Sequence, residues 1–175
     1  VRSVVETLIK KTQDLTNLRG LVMSEVSDLD VMMKQIVSCC CEENKIEQEL
    51  RNYIVGTVEE RIKKTLSSEK CQKQCTHVWR NKKINEVISE QNFDSYTTAR
   101  ALHHLAEKKI IHSDFNLETY RIEIIENRNF LAHCQAKLNT DGKEILVTSK
   151  GDKEYDSEKI NDIRKNIIKY HDMFV

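Results

Sequence analysis

The chain has 175 residues, a length that fits one domain, since domains commonly run to about 100–200 residues. Hydrophobic residues make up 39% of the sequence and charged residues 32%, and the 28 basic side chains balance the 28 acidic ones. This balance excludes a strongly basic nucleic-acid binder, so any RNA site has to be a local basic patch. The composition predicts a single domain over residues 1–175, with one elongated core and a charged surface.

The scarcity of helix-breaking residues favours an all-α fold. The sequence contains no proline and only four glycines, so a long helix meets few residues that would end it. No stretch approaches the roughly 18 consecutive apolar residues of a membrane span, and the N-terminus lacks the apolar core of a signal peptide. We therefore expect a cytoplasmic protein with no membrane partner, in which the six cysteines are reduced.

Apolar residues recur at helical spacing through the N-terminal half of the chain. Residues 2–18 predict a first amphipathic helix, and Arg19-Gly20 is interpreted as its end, with the glycine as a left-handed cap. Residues 21–66 predict either two helices separated by a bend or one long bent helix. Residues 69–90 predict another helical segment.

The C-terminal half predicts two more helices, a hairpin and a final helix. Asp94 or Ser95 can cap a helix through residue 109, and Asn116 can cap the next helix, which extends to about residue 134. Residues 137–148 predict a β-hairpin around an Asp-Gly turn. Ser157 is the predicted cap of the closing amphipathic helix. The expected architecture is an up-and-down helical bundle with a small β-hairpin between the last two helices.

One short segment of the predicted helix that follows Asn116 contains side chains that indicate a chemical function. Arg128 falls within an apolar stripe, where a guanidinium is costly unless it meets an anion. His133 lies about 140° further round a straight helix, and Asn129 is one turn before His133 on the same face. The segment therefore offers a permanent cation, a titratable imidazole and an amide near the end of one helix.

This set of side chains suits the cleavage of RNA by attack of a ribose 2′-hydroxyl. An imidazole can accept or donate a proton at neutral pH, because its pKa lies near about 6.5. Arginine can hold a phosphate through two parallel hydrogen bonds and stabilise charge in the transition state. We therefore predict Arg128, His133 and Asn129 as catalytic residues of a metal-independent reaction that uses no cofactor.

The segment from Arg128 to His133 resembles the Arg-x4-His motif of the HEPN superfamily, and Asn129 matches the asparagine that commonly follows the arginine in its nuclease members. The predicted order of elements is also similar, with long N-terminal helices, the motif late on a helix, a hairpin and a closing helix. The resemblance implies a metal-independent endoribonuclease that forms a homodimer with the active site at the dimer interface. It also implies a toxin, antiviral-defence or stress-response effector, with a possible antitoxin or regulatory protein as partner.

One position separates the chain from a known HEPN subgroup. In the toxins paired with minimal nucleotidyltransferases, a tyrosine usually stands two positions after the histidine, where this chain has Gln135. The resemblance therefore does not extend to that subgroup and its tyrosine-directed silencing. An alternative interpretation is a non-catalytic HEPN-like helical module that binds a partner protein or a nucleotide.

The cysteines allow a third, weaker hypothesis, a thiol-based metal or redox sensor. Cys71 and Cys75, together with His77, could supply zinc ligands, and the run Cys39-Cys40-Cys41 could add another. However, three consecutive cysteines point in different directions around a helix, and cysteine is readily buried as a small hydrophobic residue. The favoured prediction therefore includes no metal site.

Overall fold

The structure, a computed structural model, describes residues 14–43, 47–65, 67, 69, 84–89, 94–151 and 153–175. The predicted segment 2–13 and most of the segment 69–90 lie outside the described residues. The helices are α1 (Leu15–Glu43), α2 (Glu47–Thr65), α3 (Ile84–Ser89), α4 (Ser95–Glu107), α5 (Leu117–Tyr120), α6 (Glu126–His133) and α7 (Ser157–Phe174), with a π-helical turn (Arg121–Ile125) between α5 and α6. The strands are β1 (Gln135–Leu138), β2 (Glu144–Val147) and β3 (Glu154–Tyr155).

The chain is therefore mostly helical with a small antiparallel sheet, as the sequence predicted. No helix in the described ranges is both long and apolar enough to cross a membrane. Contacts divide the chain into two compact units, of which the first contains the described residues up to Leu29 together with Glu118–Val175, and the second Asp30–Leu117. The prediction of a single domain stays a prediction.

Each unit has a core of apolar side chains at helical spacing. In the first unit the completely or almost completely buried residues include Val22, Val26, Tyr120, Ile124, Leu131, Leu146, Ile160, Ile163 and Tyr170. In the second unit they include Met33, Val37, Leu50, Ile54, Val58, Leu102 and Leu105. Burial of such side chains is the main favourable contribution to folding, at roughly 1.5–3 kcal/mol for each large aliphatic or aromatic side chain.

The predicted end of a helix at Arg19-Gly20 is wrong, because α1 continues through both residues. Gly20 is exposed, and an isolated glycine costs a helix only about 1 kcal/mol relative to alanine. Buried Leu18 and Val22 lie on either side of it, so packing outweighs this cost. Arg19 consequently lies inside a helix of the first unit, not in a loop.

The predicted cap of α4 is confirmed at Asp94, whose carboxylate accepts a hydrogen bond of 3.0 Å from the backbone nitrogen of Thr97. The predicted cap of the last helix is wrong by one residue. Asp156, not Ser157, caps α7 and accepts a hydrogen bond of 2.8 Å from the backbone nitrogen of Lys159. An aspartate and a serine can both fill such a position, so the sequence alone does not separate adjacent candidates.

The predicted β-hairpin is confirmed, and a third strand extends it. β1 pairs antiparallel with β2 from Gln135 opposite Val147 to Leu138 opposite Glu144. Gly142 has a φ of 73° in the connecting turn, a conformation that favours glycine. β3 then pairs antiparallel with the other edge of β2, which gives the order β1-β2-β3 and places Tyr155 opposite Leu146.

Candidate active site

A π-helical turn immediately precedes the helix that contains the candidate residues. Arg121–Ile125 forms this turn between α5 and α6, so backbone hydrogen bonds there join residues five apart, not four apart. Such turns are rare and are frequently found at functional sites. The sequence analysis did not predict this turn, because apolar spacing does not distinguish one wide turn from a regular one.

Asn127 holds the carbonyl groups of the π-helical turn. Its side chain is buried, and its amide nitrogen donates hydrogen bonds to the backbone oxygens of Glu123 at 2.7 Å and Ile122 at 3.2 Å. The oxygen of the same amide accepts a hydrogen bond from the hydroxyl of Tyr155 in β3. Because every polar atom of this buried amide has a partner, Asn127 ties the start of α6 to both the π-helical turn and the sheet.

The carboxylate of Glu123 anchors the same turn to α7. It accepts a hydrogen bond of 2.9 Å from the hydroxyl of Tyr170, and it lies 3.3 Å from the ammonium of Lys169. The ring of Tyr170 also packs edge to face against Tyr120, with the ring centroids 4.9 Å apart. Burial is the largest cause that raises the pKa of Tyr170, and the neighbouring Glu123 raises it further. The turn that precedes the candidate residues is therefore held both by α7, through Glu123, and by the sheet, through Asn127.

α6 presents one exposed face to solvent, and the candidate residues lie on it or beside it. The exposed residues of this face are Glu126, Asn129, Ala132 and His133, and we call them the open face of α6. Arg128 is half-buried, whereas Leu131 on the opposite side of the helix is completely buried. As the sequence predicted, Asn129 and His133 share a face of one regular helix.

The side chains of Asn129 and His133 have no polar partner among the described residues. Within the part of the chain that the structure describes, neither one makes a hydrogen bond or an ion pair. In contrast, His103, His104 and His171 each have a carboxylate oxygen within 4 Å of a ring nitrogen, at 3.6, 3.8 and 3.7 Å respectively. An exposed imidazole without a partner in the described chain is available to exchange a proton with a bound molecule.

Arg19 of α1 binds the C-terminal end of α6, beside His133. Its guanidinium donates hydrogen bonds to the backbone oxygen of Cys134 at 3.2 Å and to that of Ala132 at 3.4 Å. The last carbonyl groups of a helix lack partners within the helix and carry partial negative charge, so a cation there is stabilising. Sequence reasoning missed Arg19 because it interpreted Arg19-Gly20 as the end of a helix.

Two carboxylates at and before the start of α6 are both paired with one arginine. Arg121 forms ion pairs with Glu118 and with Glu126, and its Nε lies 2.9 Å from Glu118. The hydrogen bond with Arg121 is the largest cause that lowers the pKa of the Glu118 carboxyl. Two cations lie near the open face: Arg128 borders it, and Arg19 lies at the C-terminal end of α6 next to His133.

The described residues offer no metal centre of the kind that the zinc hypothesis requires. Among them, no group of three or more histidine, cysteine, aspartate or glutamate side chains is placed to hold an ion. Cys40, Cys41 and Cys134 are buried free thiols, and Cys39 is exposed. Cys71, Cys75 and His77 lie outside the described residues, so their part of that hypothesis stays a prediction.

Comparisons with known proteins add no family to this description. No protein-family model matches the chain, and no curated protein and no solved structure matches it either. The HEPN resemblance therefore rests on the six positions from Arg128 to His133 and on the order of the elements around them.

Proposed function

We propose that the protein is a metal-independent endoribonuclease of the HEPN type, with Arg128, Asn129 and His133 as its catalytic residues. The observation that carries the proposal is the exposure of Asn129 and His133, side by side and without partners in the described chain. Among the described histidines, His103, His104 and His171 have a carboxylate oxygen within 4 Å, whereas His133 and His112 do not. Arg128, half-buried beside the same face, supplies a permanent positive charge.

The proposed reaction requires one base, one acid and one cation. The ribose 2′-oxygen attacks the adjacent phosphorus and gives its proton to an imidazole, while the bond from phosphorus to the 5′-oxygen breaks. The departing 5′-oxygen receives a proton, which leaves a 2′,3′-cyclic phosphate and a 5′-hydroxyl. Arg128 holds the non-bridging phosphate oxygens, and Asn129 orients the substrate or the imidazole.

The proposal includes a homodimer in which two copies of the open face of α6 border one cleft. In a single regular helix Arg128 and His133 are about 140° apart around the axis and about 7.5 Å apart along it, so their side chains diverge. Two motifs that face each other place two imidazoles and two guanidinium groups around one phosphate, and one His133 then accepts a proton while the other donates one. Ala132, exposed and small, permits the close approach of a second helix.

We also propose an arrangement of the helices and a biological role. The helices would form an up-and-down bundle, and the protein would act on RNA in the cytoplasm as a toxin, antiviral-defence or stress-response effector. An uncontrolled ribonuclease damages its own cell, so an antitoxin or regulatory protein is the expected partner. Neutral net charge implies that RNA is bound at a restricted site, since general attraction requires a strongly basic surface.

The test is cleavage of a mixed RNA substrate in EDTA by wild type, His133→Ala and the matched control His112→Ala. His112 is an exposed histidine in the second unit that, like His133, has no partner among the described residues. Wild type and His112→Ala should cut equally and leave cyclic phosphates, as read by mass spectrometry of the ends. His133→Ala should be slower by about 10²–10⁴-fold.

Two results would reject the assignment in different ways. Equal cutting by His133→Ala and wild type would show that the reaction does not use this imidazole. If wild type cuts no RNA but binds a protein or a nucleotide, the non-catalytic helical module is favoured.

A further inference from the structure

Lys153 places a positive charge beside α6 from the strand side of the first unit. Its ammonium lies 5.4 Å from the ring centroid of Phe130 in α6 and 5.1 Å from that of Tyr155 in β3. The two rings are in contact, with centroids 3.8 Å apart at an angle of 33°. A cation over an aromatic face is attracted by the electrons of the ring, so the two rings give this ammonium a preferred position.

The backbone around Lys153 explains why its side chain reaches the rings. The carbonyl of Lys153 accepts a hydrogen bond of 3.3 Å from the backbone nitrogen of Thr148, which closes the turn into β3. Lys153 immediately precedes β3, and its ammonium lies over the ring of Tyr155, so the two side chains are on the same side of the sheet. That side packs against α6, where Tyr155 also reaches the amide of Asn127.

The ammonium of Lys153 contacts aromatic rings and, among the described residues, no carboxylate. Within the described chain, no carboxylate pairs with its ammonium, and the residue is exposed. In contrast, two other lysines of the same unit are paired, Lys165 with Asp162 at 2.8 Å and Lys169 with Glu123 at 3.3 Å. Aromatic rings hold a lysine in place without cancelling its charge, so Lys153 keeps its full attraction for an anion.

The position of Phe130 places this charge close to the candidate catalytic histidine. Phe130 and His133 are three residues apart in α6, which makes them neighbours on the helix, about 4.5 Å apart along its axis. Arg128 borders the open face of α6 on one side, and Phe130, with Lys153 above it, borders the other. A chain of phosphates that crosses the open face at His133 therefore meets a cation on each side.

We propose that Lys153 binds a backbone phosphate of the RNA next to the scissile phosphate and so forms a second anion subsite. The inference rests on the proposed function and specifies its substrate as a single strand with at least one phosphate beyond the cleaved one. Lys153 acts on binding, because its ammonium is held by Phe130 and Tyr155 and not by the reacting groups. Its loss should therefore raise KM and leave the rate at saturating RNA little changed.

The experiment measures binding of a 2′-O-methyl RNA, which cannot be cleaved, as a function of salt, together with KM and kcat on cleavable RNA. The variant is Lys153→Met, which keeps an apolar stem over the rings and removes the charge, and the matched control is Lys64→Met, an exposed lysine of the second unit. Each phosphate contact to a single strand contributes about 0.7 to the slope of log K against log salt. Between 50 and 200 mM salt the affinity of Lys153→Met should therefore fall about 2.5-fold less than that of wild type.

The expected results separate this inference from the proposed function. At 50 mM salt, KM should rise about five- to tenfold in Lys153→Met, and Lys153→Arg should restore wild-type KM and slope. If wild type cleaves RNA, and Lys153→Met has the same KM and the same slope of log K against log salt as wild type, the subsite is overturned and the proposed ribonuclease activity stands. Binding with a reduced slope, but no cleavage by wild type, would retain the subsite and reject the nuclease. Wild type that neither binds nor cuts RNA would overturn both.

Discussion

Arg19 and Cys134 are 115 positions apart in the sequence, and the guanidinium of the first lies 3.2 Å from the backbone oxygen of the second. This hydrogen bond joins the long N-terminal helix to the residue that follows His133. It gives the last turn of α6 a partner outside its own helix. The orientation of His133 in the first unit therefore depends on a residue that no local pattern connects with it.

Replacing Arg19 by alanine should lower the stability of the protein and the rate of cleavage together. The change removes two hydrogen bonds from a charged donor and should reduce the free energy of unfolding by about 1–3 kcal/mol. We expect urea denaturation to show this loss, and Arg19→Lys, which retains the charge but not the forked donor, to fall between the two proteins. A midpoint in Arg19→Ala equal to that of wild type would contradict the assigned role.

The two neighbouring asparagines of α6 offer a matched pair of substitutions. In Asn127→Asp a carboxylate replaces the amide that donates to the carbonyls of Ile122 and Glu123, so oxygen atoms would face each other in a buried place. We expect a loss of about 3 kcal/mol or more in the free energy of unfolding. Asn129→Asp makes the same chemical change at an exposed position and should alter stability by about 0.5 kcal/mol at most.

Circular dichroism during thermal melting distinguishes these two variants. An Asn127→Asp protein that melts with wild type would show that the π-helical turn does not need the amide. Asn129→Asp should fold normally, yet it should cleave RNA poorly because it adds a negative charge where the phosphate is proposed to bind. Normal cleavage by that variant would argue against a phosphate site on the open face of α6.

Asp94 should make the stability of the second unit depend on acid pH. Burial opposes ionisation of its carboxyl, but hydrogen bonds from Thr97 and an ion pair of 2.7 Å with Arg61 outweigh burial and lower its pKa. The stability that the charged form contributes is complete above the unfolded-state pKa of about 4, and it is lost as pH falls through the lower folded-state pKa. Wild type should therefore exceed Asp94→Asn in free energy of unfolding at pH 7, by about 1 kcal/mol or less, because the pair is partly exposed.

Urea denaturation at a series of pH values checks this dependence. The difference between wild type and Asp94→Asn should be constant from pH 7 to about 5 and should shrink below about pH 4. Arg61→Gln should reduce the difference at neutral pH, because it removes the cation that pairs with Asp94. A difference that grows on acidification would mean that burial, not pairing, dominates at this carboxyl.

The described cysteines should differ strongly in reactivity. Burial is the largest cause that raises the pKa of the Cys134 thiol, while the charge of Arg19 opposes it, and the thiol lies 3.3 Å from the backbone oxygen of Leu131. Since the thiolate is the reactive form, iodoacetamide at pH 8 should modify exposed Cys39 well before Cys134. Peptide mass spectrometry over time measures both rates, and equal rates in the folded protein would contradict the buried position of Cys134.

The parts of the structure that the sequence predicted are those set by local chemistry. Asp94 is a good N-cap in any helix, and Asp141-Gly142 favours a tight turn wherever two extended segments meet. The shared face of Asn129 and His133 follows from helical periodicity, so it too could be predicted from spacing.

The parts that the sequence did not predict depend on distant partners. Arg19 acquires its role from α6, and Lys153 acquires its position from Phe130 and from the pairing of β3 with β2. The buried role of Asn127 depends on the hydroxyl of Tyr155. None of these contacts leaves a periodic trace in the chain, because each joins segments whose separation is set by the tertiary fold.

The π-helical turn at Arg121–Ile125 makes the length of this segment matter more than its composition. A hydrogen bond that spans five residues encloses one residue more than a regular turn, so the loss of one residue here would still leave a continuous helix. The wide turn absorbs its extra residue, so α5 and α6 would keep their relative orientation, but the carbonyls of Ile122 and Glu123 would lose their alignment with the buried amide of Asn127. A one-codon deletion in this stretch would thus preserve the helix and its exposed face, and it would cost the stability that the buried amide of Asn127 contributes.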